Sequence, residues 1–475
     1  MPSAKPIPFI GKPGQRGTGT GDSRYVNVLF EVDADPAPGA YPVACLKRPG
    51  LANSTQPPAG AATGRGVYAW SGSGNVYSVF ADKIFSGTTD LGVTLAASTG
   101  RVWFAERHVD TGTRHLIVSD GADNYNITTA DGITQIDATD DADYPAANLG
   151  PIVEMDGYLF QAQSNGKIWN TDLNSAVAWT ATSFLTADTF GSDLEAIHRQ
   201  KDQIIAFAKN RIEFFFNNGN PTGSPLLRID QNTLGFGIAA KNSLAFAGET
   251  LCFVGENSAD GDGGRAVYII QSLGKVRDIS PPHYNRLLAA EGTSISSCTA
   301  WMERVAGQLV YVLNLSSADR TLVYSVDSGY WKEWSNAAGT GRFPGIAATS
   351  LNGTTYVQDA ANGRIYTFPP TTFQDSGTNF TVTLQTGRSN HGSPARKTER
   401  ALSIVGDTTT GNLGVATSDD DYTTFTTART IDMSKPLKRL TQLGSFHSRA
   451  RRFTYTENAA LRLQAFVPEL DVGAN

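Results

Sequence analysis

Residues 201–243, KDQIIAFAKNRIEFFFNNGNPTGSPLLRIDQNTLGFGIAAKNS, carry the clearest structural pattern in the chain. Apolar residues crowd into 204–207, and after a polar turn they recur at every second position of 212–216. Such alternation is typical of paired β-strands. The loop at 217–225, NNGNPTGSP, is built from residues that favour turns, because Gly permits positive φ and Pro fixes φ. The stretch therefore predicts a β-hairpin followed by a surface loop.

The same order of an apolar run, a polar turn and an isoleucine recurs along the chain. It is found at residues 76–85 (VYSVFADKIF), 158–169 (YLFQAQSNGKIW), 204–214 (IIAFAKNRIEF) and 356–366 (YVQDAANGRIY). Two of the turns are Asn-Gly, a dipeptide that tolerates the positive φ of tight hairpins. The isoleucines after the turns are Ile84, Ile168, Ile212 and Ile365. Four-stranded units that repeat about every 40–50 residues are typical of β-propellers, in which small stacked sheets bury each other's faces.

We therefore predict an all-β protein with three parts. Residues 41–370 are predicted to form a β-propeller of six or seven blades. Residues 1–40 are rich in proline and are predicted to be an irregular segment with one strand at 24–32, lying on the surface of the chain or of a neighbouring subunit. Residues 371–475 are predicted to form an additional C-terminal β-sandwich-like domain. A set of β-sandwich modules in place of the propeller is the structural alternative.

The composition of the chain excludes several classes of protein. The chain of 475 residues has a net charge of −6, which argues against a protein that coats nucleic acid with a basic face. Its three cysteines, Cys45, Cys252 and Cys298, are too far apart for a disulfide framework or a zinc site, and we expect buried free thiols in a reducing cytosol. No apolar run of about 18 residues occurs, so no membrane span is expected. The N-terminal stretch lacks the apolar centre of a signal peptide.

Motifs of catalysis and of cofactor binding are missing from the sequence. It contains no G-x-S-x-G elbow and no phosphate-binding loop that ends in GK[ST]. We therefore expect a protein that is not an enzyme, with no catalytic residue, no cofactor and no metal ligand. The acidic runs at 137–143 (DATDDAD) and 419–421 (DDD) could attract a divalent cation, but are interpreted as solvated turns. A carbohydrate-binding or carbohydrate-active propeller, with carboxylates converging on its axis, is the functional alternative.

Charged residues near the central loop and in the C-terminal segment are the candidates for a subunit interface. Carboxylates on a partner subunit are one partner for a basic surface; solvent and DNA phosphates are the alternatives. Beside the loop at 217–225, we predict that Arg228 and Asp230 pair across subunits. The C-terminal candidates are Arg439, Arg449, Arg451 and Arg452.

Several short stretches follow one another in a recognisable order. RYVN at 24–27 and RPGL at 48–51 open the series, and GRGVY at 64–68 follows. The central run at 211–240 contains IEFFFNNG and LGFGIAA, and residues 252–279 continue it. SDDDYTTF and RLTQLGSFHSRARRF lie near the end. In this order the sequence resembles the tail hub or nozzle proteins of short-tailed bacteriophages, also called packaged-DNA stabilisation proteins.

The resemblance implies a structural virion protein with no catalytic residues to carry over. It implies a homohexameric ring below the portal and adaptor rings, which extends the DNA channel and retains the packaged genome. The implied partners are the adaptor ring, a tail fibre or tailspike, and genomic double-stranded DNA that passes through the lumen without sequence recognition. The implied location is the virion tail, after synthesis in the host bacterial cytoplasm. If the C-terminal domain supplies the subunit contacts, deleting everything after Pro370 should leave a monomeric propeller.

Overall fold

A computed structural model describes residues 6–9, 23–33, 35, 41–54, 62–108, 113–187, 193–257, 264–272 and 275–473. Nearly all regular structure in these residues is β. The exceptions are α1 (Pro282–Ala290) and three 3-10 turns at Asp230–Asn232, Lys241–Ser243 and Gly292–Ser297. The chain begins with five short strands, β1 (Ile7–Pro8), β2 (Arg24–Val26), β3 (Val28–Val32), β4 (Val43–Lys47) and β5 (Ala52–Asn53).

Four antiparallel sheets of four strands follow, which we number as blades 1 to 4. Blade 1 consists of β6 (Gly64–Trp70), β7 (Asn75–Phe80), β8 (Lys83–Ser86) and β9 (Thr89–Thr94). Blade 2 consists of β10 (Trp103–His108), β11 (Arg114–Ser119), β12 (Asn124–Thr128) and β13 (Ile133–Ile136). Blade 3 consists of β14 (Asn148–Met155), β15 (Tyr158–Gln163), β16 (Lys167–Thr171) and β17 (Trp179–Thr186). Blade 4 consists of β18 (Leu194–Gln200), β19 (Gln203–Ala208), β20 (Ile212–Asn217) and β21 (Leu226–Arg228).

Three further blades complete the ring. Blade 5 consists of β22 (Gly237–Ile238), β23 (Ala245–Ala247), β24 (Thr250–Asn257), β25 (Gly264–Ser272) and β26 (Lys275–Asp278). Blade 6 consists of β27 (Thr299–Val305), β28 (Gln308–Leu315), β29 (Arg320–Ser325) and β30 (Trp331–Trp334). Blade 7 consists of β31 (Gly345–Leu351), β32 (Thr354–Asp359) and β33 (Ile365–Thr367), and its fourth strand is β5 from near the N-terminus.

The described blades close into a seven-membered β-propeller, within the predicted range. The inner strands β6, β10, β14 and β18 contact one another in turn, blades 4 and 5 meet through β19 and β22, and β23, β27 and β31 lead back to β6. An apolar cluster lies between each pair of neighbouring blades. Pairing of Asn53 with Tyr366 joins the two ends of the ring, so the closure depends on hydrogen bonds rather than on a covalent link.

The isoleucine repeat marks the same place in four blades. Ile84, Ile168, Ile212 and Ile365 lie on the third strands of blades 1, 3, 4 and 7, and each is at most 1% exposed. Each contributes to a cluster between two blades. Ile127 holds the corresponding strand of blade 2, so the uneven spacing of the four isoleucines reflects the blades that lie between them.

The C-terminal strands form a β-sandwich together with the N-terminal ones. The remaining strands are β34 (Gln374–Asp375), β35 (Thr378–Asn379), β36 (Val382–Gln385), β37 (Lys397–Gly406), β38 (Asn412–Ser418), β39 (Arg429–Asp432), β40 (Arg439–Thr441), β41 (Ser445–Phe446), β42 (Ala450–Tyr455) and β43 (Arg462–Val472). One sheet has the order β3-β4-β43-β37-β40, with β1 and β41 added at β43 and β37. The other continues blade 6 in the order β30-β2-β36-β42-β38-β39. Apolar side chains of both sheets form one core.

This arrangement differs from the expectation for the N-terminal segment. The strand predicted at 24–32 is present as β2 and β3, but Tyr25, Val28 and Phe30 are buried in the sandwich core instead of lying on a surface. β4, which the predicted boundary at residue 41 assigns to the propeller, pairs with β3 and β43 of the sandwich. Pairing between residues about 400 positions apart leaves no local pattern, so the sequence did not reveal it. The remainder of residues 1–40 lies largely outside the described residues.

A buried polar junction joins the two domains. Asn27, with φ of 60° and no exposed surface, turns the chain from β2 into β3. Its Oδ1 accepts hydrogen bonds from Arg48 Nε at 3.0 Å and from the backbone nitrogen of Ser335 at 3.0 Å. Arg48 is itself fully buried and forms an ion pair with Asp375 at 2.6 Å. Because blade 6, the N-terminal strands and the C-terminal domain all contribute to this junction, propeller and sandwich form one packed unit.

Candidate functional site

The propeller axis is filled by side chains. Trp103, Phe104, Phe246 and Trp301 come from the inner strands of blades 2, 5 and 6 and line a cavity of about 140 Å³ on the axis. A single buried water needs roughly 10–15 Å³ by a comparable measure, so the cavity has room for a small group of waters. Hydrogen bonds also cross the axis, from Arg101 to the carbonyls of Leu244 and Ala300 and from Lys241 to that of Leu149, so the axis of one chain leaves no passage for a macromolecule.

Arg228, predicted to pair across subunits, has its partner within the chain. Its Nε lies 2.9 Å from Oε2 of Glu213 on the neighbouring strand, and its Nη2 donates to the carbonyl of Thr186 at 3.1 Å. Asp230 begins a 3-10 turn and is exposed. Arg228 and Asp230 therefore differ: Arg228 neutralises the buried carboxylate of Glu213, whereas the charge of Asp230 is exposed to solvent.

Arg449 and Arg451 lie inside the sandwich, which corrects the prediction that they form a subunit surface. Both guanidinium groups hold Glu399, at 3.0 Å and 2.9 Å, and these three side chains are at most 3% exposed. Arg449 also pairs with Asp419 at 2.7 Å. Burial lowers the pKa of Arg451 despite the attraction of Glu399. For Arg449, burial is opposed by hydrogen bonds to Asp419 and Glu399, and its pKa is raised.

Arg439 and Arg452 are closer to solvent. Arg439 forms an ion pair with Glu469 at 2.6 Å, and both side chains are more than one third exposed. Arg452 donates to Gln385 Oε1 at 3.0 Å and its guanidinium lies 3.6 Å from the centre of the Phe425 ring. These two residues, together with Asp230, keep their charge at the surface, and their role in an interface stays a prediction.

The two acidic runs form hydrogen-bonded turns. The carboxylates of Asp141 and Asp143 accept hydrogen bonds from the backbone N–H groups of Trp179 and Ala181, at 2.8 Å and 3.0 Å. In the second run, hydrogen bonds from Thr424 and Ser418 lower the pKa of Asp420 to about 2. Across the residues that the structure describes, no group of three or more His, Cys, Asp or Glu side chains is placed to hold a metal ion.

The sequence did not point to one buried cation. Lys332 of β30 has no exposed surface, and its Nζ lacks a hydrogen-bond partner among the described atoms. Burial lowers the pKa of Lys332 to about 7, with Asp327 and Cys45 in its surroundings. In WKEW, residues 331–334, alternation places Lys332 on the same face as Trp334, but a lysine is rarely buried without a partner, so the pattern does not predict its burial.

Cys45, Cys252 and Cys298 are free and buried, in agreement with the expectation of free thiols. Burial raises the pKa of each thiol, so the reactive thiolate form is disfavoured at neutral pH. Among the described residues, no helix is both long enough and apolar enough to cross a membrane.

A comparison with protein-family models assigns the chain. Residues 44–373 match the model described as "Bacteriophage P22 Gp10, beta-propeller". The chain belongs to this family. The match spans the propeller and confirms the resemblance carried by the central run at 211–240. A member of the P22 Gp10 family is a structural protein of the phage tail and is located in the virion. The carbohydrate-active alternative is not favoured by this membership.

Other comparisons are less specific. None of the curated proteins compared with the chain matches it significantly. A streptogramin B lyase structure is similar over 68% of this chain and 97% of its own, at 14% identity and a TM-score of 0.41. A virginiamycin B lyase from Staphylococcus aureus is similar over 68% and 98%, at 13% identity and a TM-score of 0.42. Likenesses this distant carry no argument about activity.

Proposed function

We propose that this P22 Gp10 family member forms the ring-shaped tail hub, or nozzle, of a short-tailed phage. In this proposal a homohexameric ring extends the DNA channel below the portal and adaptor rings, retains the packaged genome and docks tail fibres or tailspikes. The chain acts as a structural element and carries out no catalysis.

The filled propeller axis is the observation that carries the proposal. The major groove of B-DNA alone is about 12 Å wide, whereas hydrogen bonds from Arg101 beside blade 2 already reach blades 5 and 6 across the axis, so a duplex cannot pass through it. A tail protein that surrounds DNA must then form its channel between several copies of itself. A closed ring is the assembly that provides a central opening without leaving unsatisfied contact surfaces.

Charge supports a channel in which DNA slides. Binding to the duplex is driven mainly by lysine and arginine contacts with phosphates. The net charge of the chain is −6, and two of its C-terminal arginines, Arg449 and Arg451, are neutralised inside the sandwich by Glu399 and Asp419. We therefore infer that the lumen is neutral or acidic and that the isolated protein binds duplex DNA weakly at physiological salt.

Light scattering coupled to size-exclusion chromatography, followed by electron microscopy of the same fractions, tests the ring. The expected result is a sixfold ring with a central opening wide enough for a duplex. A chain that stays monomeric at the concentrations of particle assembly, with and without the adaptor ring, would contradict the proposal. A DNA affinity that is high and falls steeply with salt would contradict the sliding channel but not the ring.

Asp230→Arg is a sharper test of the predicted interface than Arg228→Glu. Because Arg228 neutralises Glu213, whose side chain is 6% exposed, its reversal should disturb the fold of blade 4 as well as any contact between subunits. Asp230 is exposed, so its reversal leaves the fold intact. We expect Asp230→Arg to shift the population from rings to monomers at an unchanged melting temperature. Lys435→Glu, on an exposed turn of the sandwich, is the matched charge-reversal control.

A further inference from the structure

Arg101, which lies on the propeller axis, bonds only to neutral groups of two other blades. Arg101 lies two residues before the start of β10 and lines the axial cavity. Its Nη1 donates to the carbonyls of Asn242 and Leu244 in blade 5, at 3.0 Å and 3.1 Å, and to that of Ala300 in blade 6 at 3.3 Å. Its guanidinium also lies 4.3 Å from the centre of the Trp103 ring. These contacts fix the group in place, but all of them are with neutral partners.

The charge of Arg101 is not balanced by the chain. The buried arginines Arg48, Arg449 and Arg451 each have a carboxylate within 3.0 Å, whereas Arg65 is held by backbone carbonyls, as Arg101 is. Among the described residues, no carboxylate forms an ion pair with Arg101. No described acceptor takes a hydrogen bond from its Nε or Nη2. Burial lowers the pKa of Arg101 to about 10, so it is still protonated at neutral pH. Arg101 is partly exposed, and a charged donor edge beside a cavity is chemically suited to a negatively charged group.

Two carboxylates belong to the surroundings of the cavity: Glu303 lines it, and Glu106 bonds the lining residue Tyr68. Oε1 of Glu106 accepts the hydroxyl of Tyr68 at 2.9 Å. Oε2 of Glu303 accepts the hydroxyl of Ser350 at 2.8 Å. Neither contributes to the electrostatic surroundings that shift the pKa of Arg101. Arg101 is thus without a carboxylate of its own, and the nearest negative charge on the cavity wall is that of Glu303.

The walls favour a ligand with an apolar body. The rings of Tyr68 and Phe104 stack with their centres 5.4 Å apart and form one side of the cavity. Gly66 makes this wall possible, because a Cβ at that position would lie 2.9 Å from the Phe104 ring. Phe246 lines the cavity as well and is 44% exposed, so the site communicates with solvent.

We propose that the axial cavity binds a carboxylate with a short hydrocarbon chain, whose oxygens accept the Nε and Nη2 donors of Arg101. A carboxylate carries the single negative charge that one arginine balances, whereas a doubly charged phosphate would bury an excess of charge among aromatic rings. A free monocarboxylate and the side chain of an aspartate or glutamate on a partner peptide share this chemistry. The inference does not depend on the ring.

Titration of the full-length protein at constant ionic strength tests the site. Propionate serves as the free acid, and a short peptide with one glutamate and blocked termini serves as the side-chain source, with chloride as the reference. Fluorescence of Trp103 beside Arg101 and the melting temperature are the two readouts. We expect a saturable response to at least one carboxylate and none to chloride. Saturation by propionate identifies a free acid as sufficient, and saturation by the peptide alone identifies a partner side chain.

Variants separate the site from general charge effects. Loss of a charge-assisted hydrogen bond pair in Arg101→Gln should weaken carboxylate binding by about tenfold or more. Arg304→Gln, whose native side chain is 62% exposed on a hairpin of blade 6, should bind as the wild type does. Arg101→Lys keeps the charge without the planar fork and should be intermediate. If the wild type shows no saturable response to either probe, or if Arg101→Gln binds equally well, the proposal is wrong.

Discussion

The propeller and the sandwich of this chain are both antiparallel β-structures, but their strands find partners in opposite ways. In blade 1 each strand pairs with the next one along the chain, as β6 does with β7. In the sandwich, Cys45 of β4 is opposite Leu463 of β43, and Tyr25 of β2 is opposite Leu384 of β36. Blades 1 to 6 are thus local units that can form one after another, whereas blade 7 and the sandwich require distant parts of the chain to meet.

The interiors of the two domains differ as well. The clusters between blades consist of apolar side chains, such as Phe160, Ile168 and Phe215 between blades 3 and 4. The sandwich combines an apolar core with the buried ion network of Glu399, Arg449 and Arg451. Apolar packing tolerates single changes gradually, but a buried ion network fails when one partner is removed. We therefore expect single substitutions to lower the stability most in the buried ion network of the sandwich.

Truncation after Pro370 should have the largest effect. It removes β43, the partner of β4, and β36, the partner of β2, and it leaves the fully buried Arg48 without Asp375. In contrast to the expectation from sequence, we predict aggregation or loss of cooperative folding instead of a monomeric propeller. Circular dichroism melting and light scattering measure the outcome, with a chain ending at residue 473 as the control. A soluble monomer that melts cooperatively would show that the propeller folds independently.

Glu399→Gln should be the most damaging single substitution in the sandwich. It removes the carboxylate between two buried arginines, and breaking a buried ion pair in this way costs about 3–5 kcal/mol. Glu154→Gln in blade 3 is the matched control, since its partner Arg199 is 40% exposed and a surface pair contributes about 0–1 kcal/mol. Urea unfolding gives both free energies. If both variants lose the same free energy of unfolding, the ion network of the sandwich is no more sensitive than a surface pair of the propeller.

Lys332→Met should stabilise the chain in a manner that depends on pH. The pKa of Lys332 is about 7 in the folded chain, below its ordinary value of 10.5, so the unfolded chain binds the proton more tightly. Stability of the wild type must then rise as pH increases from about 7 to about 10.5, and the full penalty of the buried charge is present below pH 7. We expect the variant to melt higher than the wild type at pH 6 and to lose most of this advantage at pH 10.

The control for this substitution is Lys435→Met, because the Lys435 side chain is 67% exposed. It should change the melting temperature little at either pH. A gain for Lys332→Met that is the same at pH 6 and pH 10 would mean that the lysine is not a buried unpaired cation.

A hairpin turn should show the smallest effect. Gly166, in the Asn-Gly turn between β15 and β16, has φ of 87°, and an L-residue held in this region costs about 1–2 kcal/mol. Gly166→Ala should lower the free energy of unfolding by that amount. Gly235→Ala is the control, because Gly235 has no atom near its added Cβ and no positive φ. A loss at Gly166 as large as that of Glu399→Gln would show that the blades depend on their turns more than on packing.

Much of the propeller could be predicted from the local pattern of apolar residues and turns. Ile84, Ile168, Ile212 and Ile365 mark third strands because each follows a hairpin turn and must be apolar to fill the space between two blades. Periodicity of apolar residues and the chemistry of turns act over a few positions, so they survive in the sequence as a visible signal. The family resemblance of the central run rests on the same features.

The site residues required the tertiary structure. Arg449, Arg451 and Arg452 lie at the start of β42 and look alike in sequence. The first two are nevertheless buried around Glu399, and the third lies on the opposite face near Phe425. Arg101 has no distinguishing neighbours in sequence, and only the ring brings blades 5 and 6 to its Nη1. Sequence by itself determined the strands, the turns and the repeat, because these depend on contacts between nearby residues. Which charges are buried, paired or left open depends on residues hundreds of positions apart, and only the folded chain decided it.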